Sequence, residues 1–373
     1  MSAQTFLDGR VTLHLGDVRT VLAGMEENSV DCVVTSPPYW GLRDYGVEGQ
    51  IGLESTLAEH LSVMVGVFDL VRRVLKPEGT CWVNYGDCYA THPNGRSAAD
   101  TKAAGKDDRS FRDKPFSTIG GALKAKDLCM VPNRLAIALQ EAGWWVRSEI
   151  IWAKPNPMPE SVYDRPATSH EKVFLLTKSS RYFYDLGAVR QGAGASSERR
   201  WQQNIDGQAG SSRAHSGSKP NGNMKAVGGT SARKVRASDV AAPRHIGHVN
   251  HTGIEAVPRG SRNLRNYEPA PLSVWPVATR SFREAHFATF PPELAERCVL
   301  AGSPKNGLVL DPFGGAGTTG LVAARHGRKA ALIELNPEYA AIARRRIEAD
   351  WKIGDRSASS AFAGPLFSLG AAE

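Results

Sequence analysis

The 373-residue sequence predicts a doubly wound, mostly parallel α/β sheet interrupted by a basic, loop-rich insertion. Three observations predict it. Apolar runs bounded by turn residues alternate with stretches of helical spacing. At 308–327, "LVLDPFGGAGTTGLVAARHG" reads as a buried strand, a glycine turn and the start of a helix. The net charge of +8 is concentrated in a single segment.

Taken in order, strands are expected at "VTLHLG" 11–16, "VDCVVT" 30–35, "TCWVNY" 80–85, "WVRSEIIW" 145–152, "KVFLLT" 172–177, "GLVLD" 307–311 and "KAALIE" 329–334. The clearest helix opens on the capping box Thr56-x-x-Glu59, carries Leu57, Leu61, Val65, Phe68, Val71 and Leu75 at helical spacing, and stops at "KPEG" 76–79. Further helices are expected at 132–142, 291–301, 317–326 and 337–349. Strands alternating with helices give the parallel, doubly wound arrangement. Two stretches break the rhythm: the polar segment 91–127, and 190–265, rich in Gly, Ser, Asn and Arg.

Residues 190–265 hold 13 Lys/Arg against four Asp/Glu, a charge of +9, so the rest of the chain is close to neutral. With 41% hydrophobic and 23% charged residues the composition is that of a water-soluble globular protein. No window approaches the ~18 apolar residues of a membrane span. The N-terminus "MSAQTFLDGR" also lacks the regions of a secretory signal, so a cytoplasmic location is expected. Five cysteines, Cys32, Cys81, Cys88, Cys129 and Cys298, form no CxxC pair, so neither a disulfide framework nor a bound metal is expected.

In the glycine turn, Gly315, Gly317 and Gly320 satisfy GxGxxG, which admits a dinucleotide. Glycines let a ligand approach the backbone, and the following helix offers free N–H groups. Glu334, at the end of the next strand, suits a ribose diol. That is adenosine recognition, shared by NAD and S-adenosyl-L-methionine. Asp311, before the turn, would repel a pyrophosphate and attract an α-amino group, which favours the sulfonium ligand.

The second stretch of interest is "TSPPYW" 35–40, at the end of the buried run "VDCVV". Pro-Pro stops a ladder and stiffens the loop. The hydroxyl of Ser36 and the carbonyl of Pro37 are acceptors suited to an exocyclic aromatic amine, whose delocalised lone pair must be localised before it can attack a methyl group. Tyr39 offers a ring on which an extruded base can stack.

These residues resemble the amino-group DNA methyltransferases, which form N4-methylcytosine or N6-methyladenine. Their catalytic tetrapeptide (Asp/Asn/Ser)-Pro-Pro-(Tyr/Phe) is matched by Ser36-Pro37-Pro38-Tyr39, and their Phe-x-Gly-x-Gly cofactor loop by Phe313-Gly314-Gly315-Ala316-Gly317. The catalytic loop precedes the glycine loop with the basic segment between, which resembles the circularly permuted β class. The resemblance implies a Rossmann-like, S-adenosylmethionine-dependent methyltransferase fold with a catalytic half at 1–189, a target-recognition insertion at 190–271, a cofactor half at 272–350 and a tail at 351–373.

It also implies roles residue by residue. Asp17 matches the acid near the adenine ring. Thr289, Phe290 and Pro291, in "HFATFPPELAERCVLAGSP", match the cofactor segment, with Asp311, Thr318, Thr319, Glu334 and Asn336 completing the cofactor site. Trp152, Lys154 and Asn156 in "IIWAKPNPMPES" resemble a base-pocket lining, with Trp40 beside them. In the insertion, Arg199, Arg200, Arg233, Lys234 and Arg236 are expected on DNA phosphates. Ser at the first position of the tetrapeptide is the form associated with cytosine N4, with adenine N6 the alternative. Carbon-5 methylation would need a Pro-Cys loop, and no cysteine here follows a proline. An NAD-dependent oxidoreductase and a DNA-binding protein without catalysis remain competitors. Double-stranded DNA is the expected partner, and a cognate restriction endonuclease and a homodimer are left open.

Overall fold

A computed structural model describes residues 2–42, 44, 46–92, 116–189, 272–280 and 290–357. In chain order its elements are β1 (Ser2–Phe6), β2 (Val11–Leu15), α1 (Val18–Gly24), β3 (Val30–Thr35), α2 (Leu57–Val74), β4 (Leu75–Tyr85), α3 (Val131–Glu141), β5 (Trp145–Ala153), β6 (His170–Thr177), α4 (Leu186–Val189), β7 (Val274–Pro276), α5 (Pro292–Gly302), β8 (Leu308–Asp311), α6 (Thr318–Arg325), β9 (Lys329–Glu334) and α7 (Pro337–Ser357).

The strands form one sheet in the order β1-β2-β9-β8-β3-β4-β6-β5-β7. The five central strands, β2 to β4, are mutually parallel. They are near-continuous apolar runs because helices cover both faces. On one face α1 and α3 pack on α2; on the other α5 and α7 pack on α6. The chain winds outward from β3 through α2 to β4 and from β8 through α6 to β9. The β3/β8 boundary is therefore the switch point of the sheet, where ligands bind in this class of fold. β6 runs antiparallel to both β4 and β5, so its first residues, His170 and Glu171, lie at the same edge as the ends of β3, β4 and β8.

Local chemistry explains the elements. The Thr56/Glu59 capping box is formed, and the α2 stripe Met64, Val67, Phe68 and Val71 is fully buried, each side chain contributing about 1.5–3 kcal/mol of transfer free energy. α2 ends at Val74, next to the expected stop, and the strand expected from Thr80 already begins at Leu75, so that residues 76–79 belong to an 11-residue β4. Two strands have no counterpart in the sequence reading. β1 is an exposed antiparallel edge without alternation, and β7 is three residues long and buries only Trp275. The chain divides into a unit of Met1–Asp185 with Leu272–Phe362 and another of Leu186–Pro271 with Ala363–Glu373. The described part of the second is α4.

Candidate active site

β3 delivers "TSPPY" to the switch point, and the loop is tied to its neighbour before any ligand is considered. Thr35 donates to Asp311 Oδ1 (2.7 Å), which also accepts from the N–H of Phe313 (3.1 Å). Thr319 lies 3.0 Å from the carbonyl of Val34 and 2.8 Å from Asp311 Oδ2. Its one hydrogen serves the carbonyl, which can only accept, so a proton on Asp311 Oδ2 completes the chain. Burial pushes the Asp311 carboxyl up to about 7, against its hydrogen bonds with Thr35, Thr319 and Phe313.

A second network holds the aromatic end of the loop. Tyr39 stacks on Tyr85 with ring centroids 4.7 Å apart. Its hydroxyl donates to Glu171 Oε2 (2.7 Å) and receives the Ser36 hydroxyl at 3.3 Å. Asn84 donates to Glu171 Oε2 (3.0 Å), and Lys154 pairs with Glu171 Oε1 at 2.5 Å. Burial first, and then the negative charge of Glu171, hold the Tyr39 phenol well above its ordinary pKa, so it stays a donor. The ring fits because residue 86 is glycine: a Cβ there would come within 2.6 Å of Tyr39 Cε2.

A third network fixes the backbone. Tyr85 donates to the carbonyl of Pro38 (3.0 Å) and accepts from the N–H of Trp40 (3.2 Å). That leaves its oxygen to accept from His60 Nε2 (2.7 Å), while His60 Nδ1 meets Glu54 Oε2 at 2.7 Å. His60 is completely buried on the apolar face of α2. Burial pushes the Glu54 carboxyl up, but hydrogen bonds from His60 and backbone amides bring it below the usual range.

Ser36, Pro37, Pro38 and Tyr39 line one wall of a cleft of ≈ 180 Å³ whose other wall is Phe313, Gly314, Gly315 and Ala316. Asp17, Phe290, Thr318, Glu334 and Asn336 also line it. Gly315 adopts φ 49°, and a Cβ on it would meet nothing closer than the Phe313 carbonyl at 3.9 Å. Glu334 accepts from the N–H groups of Gly315 (2.7 Å) and Asn336 (2.8 Å), which keeps it at the cleft with lone pairs to spare. Burial raises its carboxyl. Asp17 caps α1 and is paired with Arg19 at 2.8 Å, which holds its carboxyl below the usual value.

Other expected site residues lie elsewhere. Asp311 is 1% exposed and turned inward to Thr35 and Thr319, so its charge is not presented on the cleft wall. Thr319 is likewise buried in that lock. Gly317 caps α6 at φ 74° and faces Ala343 of α7, 2.9 Å from where its Cβ would be. Gly320 abuts Leu332, so these glycines serve helix packing. Trp40 is 2% exposed, donates to the Glu54 carbonyl and packs near Phe116, so no base can reach it. Trp152 is 3% exposed and donates to the Val277 carbonyl, although Lys154 Nζ sits 4.6 Å from its ring centroid. Asn156 spends its side-chain amide on the backbone of Thr279. Pro291 is buried at the N-cap of α5. Thr289, Arg199, Arg200, Arg233, Lys234 and Arg236 lie outside the described residues, as does most of the segment 91–127.

Glu171, Asn84, Tyr85, His60 and Glu54 were not singled out from sequence. The signals were there: a histidine on the apolar stripe of a helix, an asparagine inside "TCWVNY", and a glutamate opening the apolar run of β6. The five cysteines are free thiols, and among the described residues no cluster of His, Cys, Asp or Glu could hold a metal ion. No helix among them is long and apolar enough to cross a membrane.

A family model described as DNA methylase matches residues 30–345. The chain is 42% identical over 337 residues to the Type II methyltransferase M.XycI of Xanthomonas campestris pv. cyanopsidis, an alignment covering 90% of this chain and 87% of that protein. It is 40% identical over 339 residues to the Type II methyltransferase M.Cfr9I of Citrobacter freundii, covering 91% and 88%. Among solved structures, the cytosine-N4-specific PvuII DNA methyltransferase superposes with a TM-score of 0.54 at 18% identity, covering 93% of this chain and 92% of that one, which is a likeness of fold.

Proposed function

The chain belongs to the N6/N4 family of DNA methylases, and on that footing we propose that it transfers a methyl group from S-adenosyl-L-methionine to the N4 amine of cytosine in a specific duplex DNA site. The observation that carries this reading is the shared cleft: the Ser-Pro-Pro-Tyr loop and the glycine turn, 276 residues apart at Thr35 and Asp311, are hydrogen-bonded to one another and line opposite walls.

The cleft residues fit the cofactor. Gly315 leaves open space where a side chain would stand, Glu334 offers free lone pairs, and Phe290, Phe313 and Tyr339 supply apolar wall. Asp17, Phe290, Phe313, Gly314, Gly315, Thr318, Glu334 and Asn336 would hold it. When bound, it supplies a methyl group on a cationic sulfur, electrophilic enough to be attacked by a nitrogen.

The chain's own residues do the rest. Ser36 Oγ and the Pro37 carbonyl accept the N–H bonds of an amine extruded from the duplex, localising its lone pair as it attacks. One face of Tyr39 is covered by Tyr85, and Tyr39 also lines the cleft, where a base can stack on it. The His60–Tyr85–Pro38 chain holds the loop in place without reorganisation during the reaction. Ser36 supports cytosine as the target, since serine is the first residue of the tetrapeptide in that branch of the family. The basic segment 190–271 is assigned to target recognition, and its 13 Lys/Arg within 190–265 suit phosphate contacts.

The test is to incubate the protein with PCR-amplified, hence unmethylated, bacterial genomic DNA and S-adenosyl-L-methionine, digest to nucleosides and identify the product by mass. N4-methyldeoxycytidine is expected. N6-methyldeoxyadenosine would replace the base assignment, and no methylated nucleoside would end the reading.

A further inference from the structure

Glu171 stands at the far end of the hydrogen-bond chain that begins at Ser36, on a strand that neither the tetrapeptide nor the glycine turn includes. An ionised carboxylate can only accept. Lys154 donates to Oε1 at 2.5 Å and Asn84 to Oε2 at 3.0 Å, so both oxygens of the carboxylate are accepting. The Tyr39 hydroxyl, 2.7 Å from Glu171 Oε2, must therefore donate. Its other neighbour is Asn84 Oδ1 at 3.4 Å. That amide cannot be flipped, because its nitrogen faces two acceptors, Glu171 Oε2 and the Lys172 carbonyl at 3.2 Å. With acceptors on that side, the phenol oxygen is left to receive a hydrogen, and Ser36 supplies it.

We propose that Glu171 is a positioning residue that sets the direction of the whole chain, committing the Ser36 hydrogen to Tyr39 and leaving Ser36 Oγ as a one-way acceptor toward the amine in the cleft. The proposal rests on the methyltransferase reading above. Without Glu171, Ser36 is a hydroxyl rotor that can donate into the cleft as easily as accept, and donation to an amine nitrogen occupies the lone pair that must attack.

Glu171→Gln is nearly isosteric and tests direction rather than size. Lys154 requires an acceptor, so the amide oxygen turns to it and the amide NH2 faces Tyr39 and Asn84; the Asn84 amide turns to meet it with its oxygen, and Tyr39, now facing donors, accepts and sends its own hydrogen toward Ser36. Single-turnover methyl transfer to PCR-amplified genomic DNA should fall at least tenfold, with dissociation constants for S-adenosyl-L-methionine and DNA within about threefold of wild type. Adding Lys154→Met removes the cation, lets the amide oxygen return to Tyr39, and should recover most of the loss. A readout independent of turnover is the 13Cζ resonance of Tyr39 in tyrosine-labelled protein, assigned by its disappearance in Tyr39→Phe. It should move in Glu171→Gln and return in the double variant. An unchanged transfer rate in Glu171→Gln, an unmoved resonance, or a double variant slower than the single would each overturn the proposal. If the wild-type protein methylates no DNA, the methyltransferase reading fails by itself, and the resonance then decides whether Glu171 directs Tyr39.

Discussion

Gly86→Ala is the sharpest perturbation the structure offers, because it adds one methyl group against the ring of Tyr39 in the Ser-Pro-Pro-Tyr loop. The new Cβ would lie 2.6 Å from Tyr39 Cε2 and 3.3 Å from Cδ2 and Cζ. Carbon atoms rest at about 3.5–4.0 Å, so the ring must retreat by roughly 1 Å. Gly86 is not in the left-handed region, so alanine adds no backbone strain and the whole cost is this contact. Overpacking of this size costs about 1–3 kcal/mol of stability, which a domain of this size tolerates. Function suffers more. Moving the hydroxyl by about 1 Å stretches the 2.7 Å bond to Glu171 beyond hydrogen-bond range and disturbs the 3.3 Å contact with Ser36. A misplacement of that size costs roughly 100-fold in rate, or about 2.7 kcal/mol of barrier. The assay is single-turnover transfer of tritiated methyl into unmethylated DNA, with cofactor affinity from calorimetry and stability from thermal melting. A folded variant with normal cofactor affinity and a rate within twofold of wild type would refute the role given to Tyr39.

Ser36→Ala should lower the single-turnover rate by about 100-fold or more while leaving cofactor affinity unchanged, because the acceptor acts mainly as charge develops; an equal loss in both would assign Ser36 to binding. Asp311→Asn should flatten the pH dependence of stability. Burial lifts the folded carboxyl to about 7, above the 3.8 of an exposed aspartate, so its contribution is fully present below about pH 4 and is lost as pH rises through 7. Asparagine reproduces the protonated pattern, donating to Thr319 and accepting from Thr35 and Phe313. Parallel melting-temperature curves for the two proteins from pH 4 to 8 would contradict this. His60→Ala should cost about 3–5 kcal/mol in urea denaturation, because Glu54 is left without its buried partner; a loss below about 1 kcal/mol would show the pair to be dispensable. DNA affinity should fall roughly 1,000-fold between 50 and 200 mM salt if six or more phosphates are contacted, and a shallow slope would remove the basic segment from the interface.

How much of this was legible in the sequence depended on the range of the interaction that decides each residue. The central strands β3, β8 and β9 and the capped helix α2 were readable because apolar runs and a capping box are local signals. The edge strands β1 and β7 were not, because they exist through pairing with β2 and β5 rather than through any pattern of their own. Within the site, the loop Ser36–Tyr39 and the turn Phe313–Ala316 were found by motif and do face one cleft. Asp311 and Trp40 were misplaced because residue type suggests a ligand contact, whereas their direction is set by partners such as Thr319 and Phe116. Glu171 was invisible for the opposite reason: its meaning comes from Tyr39, Asn84 and Lys154, brought together only by the pairing of β6 with β4 and β5.

The bond from Thr35 to Asp311 spans 276 residues, and this has a consequence during synthesis. At 5–20 residues per second a ribosome needs roughly 15–55 s to deliver the second partner after the first has emerged. Through that interval β3 can pair with β4, but the flank that receives β8 stays open, an apolar ribbon available to any neighbouring nascent chain. Yield of native protein is therefore governed by what shields that flank, and holdase chaperones or cooler, slower growth should raise the soluble fraction more than any substitution in the finished cleft.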